Sequence, residues 1–366
     1  MADHPYKSGP DRNFWRRAVA APASKDVDPV GEFGLKIRPD MKVATAGSCF
    51  AQHIARYLKK SGFNYYVAEP GHPILPLKVR EANNYGLYSA RYGNIYTALQ
   101  LWQLMQRAYG HFHPKDDCWK QAEDVYLDPF RPSAQPGGYV SEVEMRFDRE
   151  QHLACVRQMF ENLDVFVFTF GLTECWVSSV DGAAYPICPG VEGGAFDPAS
   201  YLFRNETVDD VVGEMTEFLT MLARVNPKAQ VILTVSPVPL MATARRDQHV
   251  LAATTYSKSV LRVAAEMLTL RFQNVHYFPS YEIITGSFNR GAYFADDLRN
   301  VLETGVSHVM GLFMKHATSG EVSAEATAAP ASIPPSEKLE AEVEEMQRRA
   351  QEIVEVECDE VALDRD

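Results

Sequence analysis

No run of eighteen apolar residues occurs anywhere in the chain, so no transmembrane helix is expected. The first twenty residues, MADHPYKSGPDRNFWRRAVA, lack the apolar core of a secretory signal. Both absences set the cytoplasm as the expected location. No C-x-x-C pair occurs either. The six cysteines (Cys49, Cys118, Cys155, Cys175, Cys188 and Cys358) are scattered, and without a signal they read as reduced thiols, not as a disulfide frame or zinc site. There is no Walker loop and no G-x-G-x-x-G after a strand, so ATP and NAD are unsupported. His111, His113, Asp116 and Asp117 form only a loose polar group, more in keeping with a surface loop than with zinc. No cofactor and no metal are expected. A basic stripe is also missing. The net charge is −12, and residues 317–366 supply −10 of it, with fourteen Asp or Glu against four Lys or Arg. The body is close to neutral, and nucleic acid is not an expected partner.

What is present is a chain of 366 residues, 46% apolar, long enough for a substantial core. Residues 1–40 are rich in proline and charge and are expected to wrap the domain without joining its sheet. Strand-like and helix-like segments then alternate from 41 to 316. MKVATA (41–46), residues 63–68, DVFVFTF (164–170), QVILTV (230–235) and NVHYF (274–278) read as strands. DVFVFTF is apolar on both faces, as a buried parallel strand is. Residues 49–60, 95–109, 149–161, 207–225, 250–271 and 302–316 read as helices. The alternation predicts an α/β fold of three layers, α/β/α, around a mostly parallel five-stranded sheet. Residues 317–336 have the Ala, Ser, Pro and Glu composition of a disordered linker. Residues 337–366 are predicted as an acidic amphipathic helix and tail, with Leu339, Val343, Met346, Ala350 and Ile353 on one face. Such a tail either meets a protein partner or stays solvated.

In a doubly wound sheet the ligand sits beyond the carboxyl ends of the strands. That selects Gly47-Ser48-Cys49, Gly171-Leu172-Thr173-Glu174, the loop from Ser236 to Pro239, and the stretch from Pro279 to Asn300. Gly47 permits a sharp turn from strand to helix. At the start of that helix the free N–H groups and the dipole favour a thiolate or a developing negative charge. The plainer alternative is that Ser48 caps the helix and Cys49 is buried filler. Glu174 reads either as a base or as an ion-pair partner, and Ser257 with Lys258 either as an anion-binding pair or as a solvated helix face.

ATAGSCFAQHIARYL, with Gly47-Ser48-Cys49-Phe50-Ala51 intact, resembles the naming motif of the GSCFA family. Further blocks follow in order: YSARYGNIYTA with Gly93 and Asn94, FTFGLTECW, TVSPVP followed by YSKSVL, and YFPSYEII with YFADDL. The resemblance covers roughly residues 5–316. That family is similar to the SGNH hydrolases, which implies an SGNH/flavodoxin-like fold and acyl-ester chemistry. It implies Gly93 and Asn94 as oxyanion donors and puts Thr173 or Glu174 where the superfamily has Asn. Aligning Gly47 with the superfamily's Gly-Asp-Ser places Cys49, not Ser48, at the nucleophile. The Asp-x-x-His of the superfamily reads Asp297-Leu298-Arg299-Asn300 here, and Asn is no general base. The histidines that stand in for it are His308, His249 and His72, and Asp297 would orient one of them.

The function this implies is hydrolysis of an acyl ester, or O-acyl transfer, on an acylated carbohydrate or similar small substrate. Acetyl-CoA is the implied donor for a transferase. The competing expectation is a catalytically silent module that binds a glycan or a protein.

Overall fold

The structure is a computed structural model, and it describes residues 4, 6–48, 50–319 and 363. The sequence elements from 320 to 362, and Cys49, lie outside the described residues. In chain order the elements are β1 (Val43–Gly47), α1 (Phe50–Lys60), α2 (Leu77–Ala82), α3 (Ala98–Ala108), β2 (Trp119–Ala122), β3 (Val125–Leu127) and α4 (Glu142–Asn162). Then come β4 (Val165–Phe170), β5 (Glu174–Ser178), β6 (Ala184–Tyr185), β7 (Tyr201–Asn205), α5 (Val208–Val225) and β8 (Gln230–Val235). The chain continues through α6 (Val250–Arg271), β9 (Val275–Tyr277), α7 (Ser280–Thr285) and α8 (Glu303–Ala317).

The central sheet is parallel, in the order β1-β4-β8-β9. It has four strands, one fewer than expected. Residues 63–68 lie along the free edge of β1, but only Tyr65 bridges to it, at Val43. Tyr66 N donates to Val43 O and Ala68 N then turns away to Ser89 O, which leaves too short a ladder for a strand.

Alternation along the strands builds two cores. Phe166, Phe168 and Phe170 of β4 face α3, α4, α5 and α6. Val165 and Val167 face α1, α7 and α8. The sheet is thus covered on both faces, as its apolar strands require. Capping residues start the helices around it. Thr207 and Asp210 form a reciprocal capping box on α5, and Thr97 and Gln100 form one on α3. The amino-terminal segment lies on the second face, where Asp28 pairs with Lys315 and His316 at 2.7 Å each and Ser24 Oγ donates to Phe288 O.

Two antiparallel pieces were not expected. A hairpin, β2-β3, and a small sheet, β6-β5-β7, occupy stretches between helices. They share an aromatic cluster of Trp119, Phe130 and Tyr185. Their strands are two to five residues long, too short for a period-two pattern to show in sequence.

Candidate functional site

The parallel order places β1 beside β4, with the first crossover leaving towards the Tyr65 edge and the later ones towards β8 and β9. The strand order therefore reverses between β1 and β4, the place where such sheets open a crevice. A cleft of about 230 Å3, part of it open to solvent, lies there. It is lined by Ser48, Tyr96, Gly171, Ser236 and Lys258, with Leu172, Val238, Pro239 and Leu240 closing its walls.

Gly47 makes the turn that delivers Ser48. Its φ is +132°, and a Cβ there would fall on the backbone of Thr169 in β4. Ser48 N still donates to Thr169 O at 3.2 Å, so the ladder runs right up to the turn. The Ser48 hydroxyl is buried and has no hydrogen-bond partner among the described residues. It does not cap α1, which removes the plainer account of this serine. Buried hydroxyls are normally paired, so an orphan one facing a cleft calls for an explanation.

Lys258 is buried as well, 1% exposed, which corrects the expectation of a solvated helix face. Its ammonium donates to Gly171 O at 2.6 Å and lines the same cleft. Gly171 itself is packed so closely on Tyr96 that a Cβ would approach its ring carbon to 2.9 Å. Tyr96 O in turn accepts from Gly171 N and Leu172 N, so the segment 92–96 is fastened to the end of β4. The Ser257 hydroxyl accepts from Thr173 N at 3.0 Å, and Thr173 Oγ1 donates to Asn205 Oδ1 at 2.6 Å. Both are buried and hold the loop after β4; neither lines the cleft. Ser236, after β8, is buried in the cleft wall and accepts from Val238 N.

Glu174 stands apart, bonded by Thr243 Oγ1 at 2.6 Å and by Ala244 N, with burial pushing its carboxyl up. Gly93, at φ +67°, and Asn94 sit beside the end of β1, because Ile95 N donates to Gly47 O. They open on other cavities than the Ser48 cleft. A relay reaches the Asn94 amide: Gln52 Nε2 donates to Tyr88 OH at 2.7 Å, and Tyr88 OH donates to Asn94 Oδ1 at 2.8 Å.

None of the three substitute histidines reaches the cleft. His308 bonds through Nδ1 to Tyr293 OH at 2.8 Å and meets the Phe288 ring edge to face. His249 caps α6, its Nδ1 accepting from Leu251 N. His72 accepts from Ile74 N in an exposed loop. Asp297 Oδ1 accepts from Arg299 N and Asn300 N in a local turn, and no histidine is bonded to it. Arg299 Nε donates to Pro239 O, which brings that turn up to the cleft wall. His53, unremarked in the sequence, lies four residues past Cys49. Arg56 donates to its Nδ1, and burial with that neighbouring charge pushes it down to about 3. Among the described residues no cluster of His, Cys, Asp or Glu could hold a metal ion. No helix among them is long and apolar enough to cross a membrane.

The GSCFA family model matches residues 42–313, about three-quarters of the chain, from β1 through α8. The chain belongs to the GSCFA family. No curated protein matches this GSCFA chain. Among solved structures it is similar to an acetyl xylan esterase from the rumen bacterium Butyrivibrio proteoclasticus, with 13% identity and a TM-score of 0.22. That match covers 68% of the GSCFA chain and 56% of the esterase chain.

Proposed function

We propose that this GSCFA protein is an acyl-ester hydrolase or O-acyltransferase whose covalent step takes place in the Ser48 cleft. The observation that carries it is the buried Ser48 hydroxyl, without a partner among the described residues, sharing a cleft with the buried ammonium of Lys258. A buried hydroxyl left without a partner is free to meet a substrate carbonyl, and the start of α1 favours the negative charge that develops there. Cys49, the next residue, competes for that role by its place in the naming motif.

In the first half-reaction the Ser48 oxygen or the Cys49 sulfur bonds to the acyl carbon, and its proton passes to the departing alkoxide. The ester C–O bond breaks, and the leaving alkoxide takes up a proton as the alcohol. Water or an acceptor hydroxyl then displaces the enzyme nucleophile. Lys258 supplies a fixed charge to this site and not the proton acceptor that histidine supplies in SGNH hydrolases, because an ammonium has no lone pair. Its ammonium offsets the negative charge that develops on the attacking atom and on the carbonyl oxygen, from a buried position where a fixed charge acts more strongly than in water. His53 is unsuited, since the nitrogen facing Arg56 is already an acceptor and the ring stays neutral. The substrates that suit a cleft this small are short acyl groups, such as acetyl, carried on a sugar hydroxyl.

The test is intact-mass spectrometry after brief exposure to p-nitrophenyl acetate at neutral pH. Wild type should gain one acetyl group; either Ser48→Ala or Cys49→Ala, but not both, should fail to gain it. Lys258→Met should acylate about 100-fold more slowly, the size of effect seen when one oxyanion-stabilising donor is lost. An unlabelled wild type would favour the glycan- or protein-binding alternative, which the absence of any histidine from the cleft lining supports.

A further inference from the structure

A second cavity lies behind the segment 92–96, between α3 and the loop that follows β3. It encloses about 380 Å3 of space between atoms, part of it open to solvent. Its interior is narrow, with room for only a few heavy atoms. Two guanidinium groups, Arg107 and Arg131, face it together with Gln103 and His152.

The charges around this cavity are unevenly matched. Four carboxylates are within reach, and each is already taken. Asp128 accepts from Arg131 Nε at 2.8 Å and from Arg149. Asp148 accepts from Arg91, from Arg131 Nη2 at 2.7 Å and from Tyr139 OH. Asp117 holds Arg146 and Arg149. Glu69 pairs with His152 Nδ1 at 2.7 Å and accepts from Arg91 N. Arg107 is left with no ion pair among the described residues; its guanidinium lies 4.0 Å over the Phe130 ring, and its Nε is buried without an acceptor. Arg131, 3% exposed, has its Nη1 buried without an acceptor. Burial, against the pull of Asp128 and with the push of Arg149 and Arg131, lowers Arg107 to about 9, which is the mark of a positive charge short of a counter-charge.

Buried donors are nearly always satisfied, and charged donors most of all. We infer that this cavity is a binding site for a small planar carboxylate, held between Arg107 Nε and Arg131 Nη1. A carboxylate offers two oxygens to two guanidinium groups, and its flat shape suits the narrow interior beside the Phe130 ring. Gln103 cannot compete for those donors, because Ala184 N and Gly182 O already take both ends of its amide. The site is independent of the acyl chemistry proposed above. It nonetheless abuts the same segment, since Asn94 and Ile95 line it while Ile95 N holds the end of β1.

The experiment is thermal unfolding of the full chain in rising sodium formate, with sodium chloride and sodium phosphate at matched ionic strength. Formate should raise the Tm of wild type saturably, by about 3 °C, with chloride and phosphate giving only a small unsaturating drift. Arg107→Met should melt cooperatively and lose the formate response. If Arg107→Met does not fold, Arg107→Lys replaces it: the charge remains, the fork is lost, and formate should bind about tenfold more weakly. A formate curve no different from chloride in wild type overturns the proposal and leaves the cavity to water. A saturable response to phosphate equal to that of formate overturns the carboxylate assignment. An undiminished formate response in the Arg107 variant removes the site from this cavity.

Discussion

At the scale of single residues, the site is made by groups whose ordinary needs are denied or met in unusual ways. Ser48 has a hydroxyl without a partner among the described residues, and Lys258 has a charge buried from solvent. Gly47 is the enabling residue. Gly47→Ala should lower unfolding stability by about 2–4 kcal/mol, since it adds strain at a positive φ to a collision with the Thr169 backbone. Urea unfolding would measure it, and a near-neutral result would mean that the turn can relax. Asn226 gives a contrasting case with no link to chemistry. Its amide donates to Phe160 O and Leu163 O, closing the end of α4 against β4. Asn226→Ala should cost about 1–3 kcal/mol by stranding two buried carbonyls, and should leave acylation untouched. The Gln52–Tyr88–Asn94 relay predicts a third outcome. Tyr88→Phe keeps the ring and removes the hydrogen bond that Tyr88 OH donates to Asn94 Oδ1. If Asn94 is an oxyanion donor, as the family resemblance implies, acylation should slow by about 10-fold or more with the fold intact.

At the scale of elements, the strands and long helices were legible because each has its own pattern. DVFVFTF is apolar on both faces and became the central β4. The helices predicted at 207–225 and 250–271 match α5 and α6 to within a residue. Helix α4 begins at Glu142, well before the predicted 149, because Ser141 caps it and its first turns lie exposed, where no apolar stripe is needed. The edge segment 63–68 has strand composition but only one bridge, since its backbone leaves β1 for Ser89 after Tyr66. Composition fixes what a segment can do; pairing depends on where its neighbours run. Phe166, edge to face with Phe160, stacked on Phe168 and tilted against Phe218, sets the energetic weight of the core under α4 and α5. Phe166→Ala should cost about 3–5 kcal/mol, read from the urea midpoint at unchanged m.

At the scale of the whole molecule, buried ionisable groups shape the dependence of stability on pH. Glu206 is fully buried, and burial with Glu214 beside it holds its carboxyl well above the ordinary value of 4.5, Arg204 pulling the other way. Below 4.5 the carboxyl is protonated in both states and the folded chain keeps its full stability. Above that the unfolded chain releases the proton first, so stability declines as pH rises, by up to about 1.4 kcal/mol per unit, until the folded-state value is passed. The opposite limb comes from Glu69, Asp148 and Asp128, held low by His152 and the Arg131 and Arg149 guanidinium groups in spite of burial. Their contribution is present above the ordinary carboxylate range and is lost as pH falls through it and below. Glu206→Gln should therefore flatten the decline on the neutral side and leave the acid limb in place. Denaturant midpoints from pH 3 to 8 would show it, and an unchanged neutral limb would assign that limb to another group.

The sequence by itself determined the layered α/β class, the family, and the turns after each strand where a ligand could sit. It could do so because periodicity, the Gly47-Ser48-Cys49 string and the ends of β-strands are local features. The tertiary structure alone decided which of those residues meet. It brought Lys258 from the middle of a helix to Ser48, fastened Tyr96 between β1 and β4, and carried His308 away to Tyr293. Among the described residues it also left Arg107 without an ion pair, the carboxylates Asp128, Asp148, Asp117 and Glu69 being held by other arginines or by His152. Such outcomes depend on distances between residues far apart in the chain, set by how helices pack on the sheet, and no local pattern encodes them.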